Sequence, residues 1–418
     1  VTTLFDTATY IWINVNIATM NSNVTSQGDF DTGYGVLLNQ AVAIDDDCIS
    51  AITPMQQYIQ PSTDVIIIDA KGRWLTPGFI DAHTHLVYAG NRADEFEQRL
   101  QGASYQEIAK RGGGILSTVN ATRKASLTEL IEYSQPRLDA LMREGVSCVE
   151  IKSGYGLTIE DELNMLRAAK ALGANNQVRV STTLLAAHSL PPEYTNNPDD
   201  YIDLICDELI PAAVAESLVD AVDVFCEKIA FSAQQCERVF LAAKKHGLAV
   251  KGHMEQLTNQ HGSQLAARFN ALSVDHLEWL DEEGVQAISA SGTVATLLPG
   301  AFYFLRETKV PPIELLRSYK VPMAIATDLN PGSSPIASIR LAMQMACTLF
   351  RLTPSESLAG VTCNGAKALG LSESIGQIKV GMQADMLLWD IESPAQLCYQ
   401  FGMNELVQKI FAGKVSDV

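Results

Sequence analysis

Eight short apolar runs, alternating with helical stretches between about residues 76 and 370, constrain this chain more than anything else in it. They are GFIDAHTH (78–85), VSCVEIKSG (146–154), VRVSTTLLAAH (178–188), AVDVFCE (221–227), AVKGHMEQ (249–256), LSVDHLE (272–278), GTVATLLP (292–299) and VPMAIATDLNPG (321–332). Amphipathic segments fit between most of them, such as LTELIEYSQPRLDALMREG (127–145) and AQQCERVFLAAKKHG (233–247). Eight strand–helix repeats favour an α/β fold of the (β/α)8 TIM-like barrel type over an open doubly wound sheet. No GxGxxG follows a strand, and the GGG at 112–114 reads as a flexible loop that opens no phosphate-binding helix.

The two ends of the chain follow a different pattern. The first 75 residues hold short β-rich runs such as YIWINVNIAT and DVIIIDA, broken by polar and Gly-rich turns. The tail around 376–412 is similar, with GQIKVGMQADMLLWD reading as a turn followed by an apolar strand. The expected organisation is a small β-sandwich domain from 1–75 plus 376–418, with a metal-dependent barrel at 76–375 inserted between its halves.

Each of the eight runs ends in polar or reactive residues. His83, His85, His188, His253, His276 and Asp328 all fall at such C-terminal ends, which in a barrel share the face that carries chemistry. The remaining two histidines, His246 and His261, lie in helical context and read as packing or surface residues. Residues i and i+2 of a strand point the same way, so His83 and His85 present two parallel imidazoles. An HxH pair is weak by itself. Joined by His253 on the fifth run and Asp328 on the eighth, it becomes a metal site, with His83, His85, His253 and Asp328 as ligands. Three imidazoles and a carboxylate suit Zn²⁺ or Fe²⁺ and not Mg²⁺ or Ca²⁺, which prefer oxygen shells. Asp328 is placed to take a proton from a water, and His276 to bond the hydroxide, polarise a substrate carbonyl or support the ligands. The fourth run ends Phe225-Cys226-Glu227 without the Lys that bridges two-metal barrels, so one divalent ion is expected. Lys152 ends the second run and reads as a salt-bridge or substrate-side residue.

A formal net charge of −18 argues against nucleic acid or an anionic membrane as partner, but not against a small anionic substrate met by one well-placed Arg. No apolar run reaches the roughly 18 residues of a membrane span. The N-terminal VTTLFDTATYIWINV lacks the basic flank and long apolar core of a signal peptide. The eight scattered Cys include no CxxC pair and read as thiols of a reducing, cytoplasmic setting, so the sequons at Asn23 and Asn120 are treated as accidental.

LTPGFIDAHTHL, the HMEQ and VDHLE histidines, ATDLNPG and the GQIKVGMQADMLLWD tail together resemble the amidohydrolase superfamily over nearly the whole chain. Within it, HTHLVYAGNRADEFEQRLQGASYQEIAKRGGGI, EIKSGYGL, LLAAH and ATDLNPGSSP are similar to the branch that hydrolyses 4-imidazolone-5-propanoate to N-formimidoyl-L-glutamate in histidine degradation. The resemblance implies that Arg92 grips the propanoate, that Tyr155 and His188 contact the substrate, and that Asn330, Gly332 and Ser333 hold its carboxylate. It also implies a homodimer. Gln256 departs from members that carry Glu there. An amide cannot shuttle a proton, so Gln256 can only orient the ring, and proton transfer falls to Asp328 and His276. A related deaminase of a cytosine- or guanine-like ring would share the metal site but needs an acid at that position. A non-catalytic relic of a metal site is the remaining alternative.

Overall fold

The computed structural model describes residues 5–102 and 113–417. All eight apolar runs form parallel strands of one sheet, in sequence order: β1 (Phe79–Asp81), β2 (Val146–Lys152), β3 (Arg179–Ala187), β4 (Ala221–Cys226), β5 (Gly252–Met254), β6 (Ser273–His276), β7 (Val294–Leu297) and β8 (Met323–Ile325). Ala249–Val250 adds a short lead-in to β5 that pairs with β4. The sheet closes through the extended backbone beyond β1 and β8, where Thr84 bridges Leu329 in parallel. The Asp328 N–H donates to the His83 carbonyl, and the His85 N–H to the Leu329 carbonyl, each at 3.0 Å. The seam of the barrel is therefore made by the segments that carry three of the four expected ligands.

Helices cover the outside, and their ends obey local chemistry. Leu127–Arg143 starts at a capping box of Ser126 and Glu129, and Ala233–Lys245 at one of Ser232 and Gln235. In each, two otherwise orphaned backbone donors are satisfied reciprocally. One expectation is corrected here. Gly112 lies outside the described residues, as does all of 103–112, but Gly114 is not loop. It is the N-cap of a helix, Ile115–Lys124, at φ 78°, where a residue without Cβ is favoured.

Both ends of the chain build the second sheet. Tyr10–Ala18, Val36–Asp45, Cys48–Pro54, Ile66–Asp69 and Trp74–Pro77 come from the N-terminal part, and Met386–Trp389, Leu406–Phe411 and Lys414–Asp417 from the C-terminal part. The halves join where Met386–Trp389 runs antiparallel to Trp74–Pro77. That last N-terminal strand reaches Pro77 and leads through Gly78 directly into β1, so the joint sits at the entrance to the barrel. Phe79 and Trp389 stack there with centroids 5.4 Å apart, both fully buried, and the Trp389 indole N–H donates to Thr76 Oγ1 at 2.9 Å. Among the described residues no helix is long and apolar enough to cross a membrane.

Replacing Phe79 removes a large buried ring at this joint. Phe79→Ala is expected to lower stability by about 3–5 kcal/mol, read as a lower denaturant midpoint. An effect below about 1 kcal/mol would show that the joint does not hold the two sheets together.

Candidate active site

Four side chains converge on one buried point at the C-terminal mouth of the barrel. One nitrogen from each of His83, His85 and His253 lies within a 4.8 Å cluster. Asp328 Oδ1 is 3.4 Å from both His83 Nε2 and His85 Nε2, and His253 Nε2 is 3.4 Å from His85 Nε2. Asp328 holds its carboxylate there at φ 51°, in the left-handed region of the backbone. Among the described residues, His83 Nε2 is buried without a hydrogen bond.

The outward nitrogens are tied down. His83 Nδ1 lies 2.6 Å from Asp275 Oδ2, and His253 Nδ1 3.2 Å from Asp223 Oδ1, all fully buried. A carboxylate on Nδ1 places the proton there and turns the Nε2 lone pair inward, as a metal-binding imidazole requires. Burial drives the His253 pKa well below its ordinary value despite Asp223, and lowers that of His85 despite Asp328, whereas at His83 burial and Lys152 are outweighed by Asp275 and Asp328 and the pKa is raised. Burial also opposes ionisation of Asp328, but the close approach of His83 and His85 outweighs it and holds the carboxyl well below the usual range. Neutral imidazoles and an ionised carboxylate are the forms that bind a divalent ion. The donor set therefore fits one.

The same point opens into a cavity of about 390 Å³, of the size that takes a small molecule. Every expected site residue lines it except His83, which is sealed beneath. Thus His85, Arg92, Tyr155, His188, His253, Gln256, His276, Asp328, Asn330, Gly332 and Ser333 face one space. His188 stacks on His85 at 5.2 Å and 18°, its Nδ1 3.0 Å from the Gly154 carbonyl, which leaves Nε2 for a ligand. Burial pushes the pKa of His188 down to about 3 and that of His276 down to about 4, so both rings are neutral at pH 7. Burial raises the Tyr155 pKa, so its phenol stays protonated.

At the other end of the cavity the Asn330 side chain organises a turn. Its Oδ1 accepts the N–H groups of Gly332 and Ser333 at 2.8 Å, and its Nδ2 donates to the Asp328 carbonyl at 2.7 Å. Arg92 lies against this turn. A Cβ on Gly332 would sit 2.4 Å from Arg92 Nη1, so a side chain there would push the guanidinium out of its present position. Arg92 also pairs with Glu95, with Nε and Nη2 each 2.9 Å from Oε2. The salt bridge and the cavity position are thus compatible, because Nη1 remains turned to the turn.

The model of the amidohydrolase family matches residues 74–417. The imidazolonepropionase of Hahella chejuensis is 59% identical over 97% of this chain and 99% of its own length. That of Shewanella frigidimarina is 60% identical over 94% and 95%. The chain belongs to the amidohydrolase family. Family folds recur among solved structures at low identity. A 5-methylcytosine deaminase from Klebsiella pneumoniae, liganded with 5-fluorocytosine, covers 97% of this chain and 96% of its own at a TM-score of 0.73 and 16% identity. An adenosine deaminase from Xanthomonas campestris, with bound zinc, covers 98% and 93% at 0.68 and 18%. These two show the amidohydrolase fold alone.

Of the charged residues beneath the cluster, sequence reasoning weighed Lys152 and passed over the rest. Glu150 and Lys152 sit two apart in VSCVEIKSG, and Asp223, Lys251 and Asp275 interrupt other apolar runs. Charges inside otherwise buried strands were the available signal. Lys152 is a salt-bridge residue, fully buried, with Nζ 2.6 Å from Asp223 and 2.9 Å from Glu150. Glu95, which pairs with Arg92, also accepts the Gly114 N–H at 3.1 Å.

Asp275→Asn removes the anion that orients His83. Divalent-ion affinity, read by competition with a chelator, is expected to fall about 10- to 100-fold. An unchanged affinity would mean that His83 needs no such support.

Proposed function

We propose that this chain opens the ring of 4-imidazolone-5-propanoate by hydrolysis, giving N-formimidoyl-L-glutamate, the step its imidazolonepropionase relatives are named for. One observation carries the reading. A single cavity joins a three-histidine, one-aspartate centre to an arginine and a turn suited to a carboxylate. His83, His85, His253 and Asp328 hold one divalent ion, and Zn²⁺ and Fe²⁺ both suit that donor set. Such an ion supplies Lewis acidity and brings the pKa of a water to about 7.

The chain's own groups do the rest. Arg92 Nη1 binds the propanoate, a small anion that a guanidinium fork recognises better than an ammonium, and the Asn330–Ser333 turn shapes that end of the cavity around it. Tyr155 and neutral His188 hold the ring by hydrogen bonds. Asp328 takes the proton of the attacking water through the oxygen turned away from His83 and His85. His276, neutral and at φ 82°, steadies the negative charge that develops on the carbonyl oxygen. As the ring C–N bond breaks, the proton held by Asp328 passes to the departing nitrogen. Gln256 faces the cavity as a neutral hydrogen-bonding group and moves no proton. A deaminase would need an acid there to protonate leaving ammonia. The eight free thiols suit a reducing cytoplasm.

A spectrophotometric assay of freshly made imidazolone propanoate beside cytosine and guanine tests the reading. Turnover of imidazolone propanoate, lost on chelation, is expected, and turnover of the bases alone would overturn it. Arg92→Lys and Gly332→Ala should each raise KM by about 10- to 100-fold with a smaller change in kcat, since both loosen the carboxylate grip. A fall in kcat at constant KM would move Arg92 from binding to chemistry.

A further inference from the structure

The barrel interior directly beneath the ligands is charged. Glu150, Lys152, Asp223, Lys251 and Asp275 are all fully buried. Lys152 Nζ lies 2.6 Å from Asp223 Oδ2, 2.9 Å from Glu150 Oε2 and 3.7 Å from Asp275 Oδ2. Lys251 Nζ is 2.8 Å from Glu150 Oε1 and donates to the Ala82 carbonyl at 3.0 Å. Neutral donors complete the layer: Thr183 Oγ1 to Glu150 at 2.5 Å, and Ser273 Oγ to Asp275 at 2.6 Å. Its upper edge is Asp223 and Asp275, which touch His253 and His83. Asp81 stands apart, accepting from the Thr327 N–H and hydroxyl.

Such a layer is a costly way to fill a barrel, because packed apolar side chains of the same volume are as stable or more so. Its charge balance suggests what it does. Three carboxylates against two ammoniums leave one negative charge, and Asp328 above adds a second. A divalent cation carries the charge opposite to this pair.

We infer that Glu150 and Lys251, which touch neither ion nor substrate, are positioning residues whose opposed charges set the affinity of the ligand centre for a divalent cation. This rests on the reading of His83, His85, His253 and Asp328 as the ligands, and on nothing about the substrate. In a buried, weakly screened setting such charges act on an ion beyond contact distance. The sign separates this from a structural role. Glu150→Gln removes a negative charge and should weaken Co²⁺ binding about 10- to 100-fold. Lys251→Met removes a positive charge and should tighten it. The double variant E150Q/K251M restores the layer's net charge and should bind within about threefold of the unaltered protein.

The test is Co²⁺ affinity at pH 8 by chelator competition, read from the visible absorption of bound Co²⁺, for the full chain and these three variants. Opposite shifts in the single variants, cancelling in the double, are expected. Weaker binding in both singles, with the double weakest, would make the layer mere scaffolding and overturn the inference. If Lys251→Met does not fold, the double variant decides: recovery relative to E150Q supports the charge balance, and further loss contradicts it. No Co²⁺ uptake by the unaltered chain would overturn both the ligand assignment and this inference. Failure to open imidazolone propanoate would touch only the proposed reaction.

Discussion

Two imidazole nitrogens, His85 Nε2 and His253 Nε2, face each other at 3.4 Å in a buried site, with the Asp328 carboxylate 3.4 Å from His85 and from His83. Lone pairs aimed at one point away from water repel one another unless a cation lies between them. Everything around the point keeps that arrangement in place. The seam of the barrel fixes the backbone of His83, His85 and Asp328, and Asp275 and Asp223 fix two of the rings. The ionic layer holds those carboxylates. The architecture of the barrel mouth follows from holding an electron-rich cluster together.

The cavity divides into two chemistries. At the ligand end, buried and neutral rings surround the place where bonds change. At the far end, the Arg92 guanidinium lies against the turn that Asn330 organises. A substrate that bridges them needs a hydrolysable ring at one end and a carboxylate at the other. Glu95 couples the far end to the rest of the molecule, since it grips Arg92 and caps the helix that Gly114 opens. An acidic side chain at a helix N-terminus is favoured in its own right, so Arg92 is held by a group that is itself firmly placed.

The sequence made the strands and the convergence of His83, His85, His253 and Asp328 legible because both follow simple periods. Five of the eight apolar runs carry His or Asp at their ends, and strand ends in a barrel share a face. Helices 127–143 and 233–245 were readable from their amphipathic faces. What stayed hidden depends on three-dimensional proximity across strands. Glu150 and Lys251 are about a hundred residues apart, and only barrel closure puts their ion pair under the ligands. Gly332 reads as an ordinary turn residue until Arg92 is seen pressed against it. Gly114 was taken for loop because capping by glycine depends on a backbone angle that composition does not reveal. Arg92 pairs with Glu95 and still lines the cavity, because the guanidinium has more than one edge.

The central claim is that one divalent ion, held by His83, His85, His253 and Asp328, supports ring opening of a carboxylate-bearing cyclic amide. The most direct measurement is a titration of the metal-stripped protein with Zn²⁺ or Fe²⁺, following formation of N-formimidoyl-L-glutamate against ions added per chain. The account predicts that turnover rises linearly and levels off at one ion per chain. A plateau at two, or full turnover with none, would contradict it.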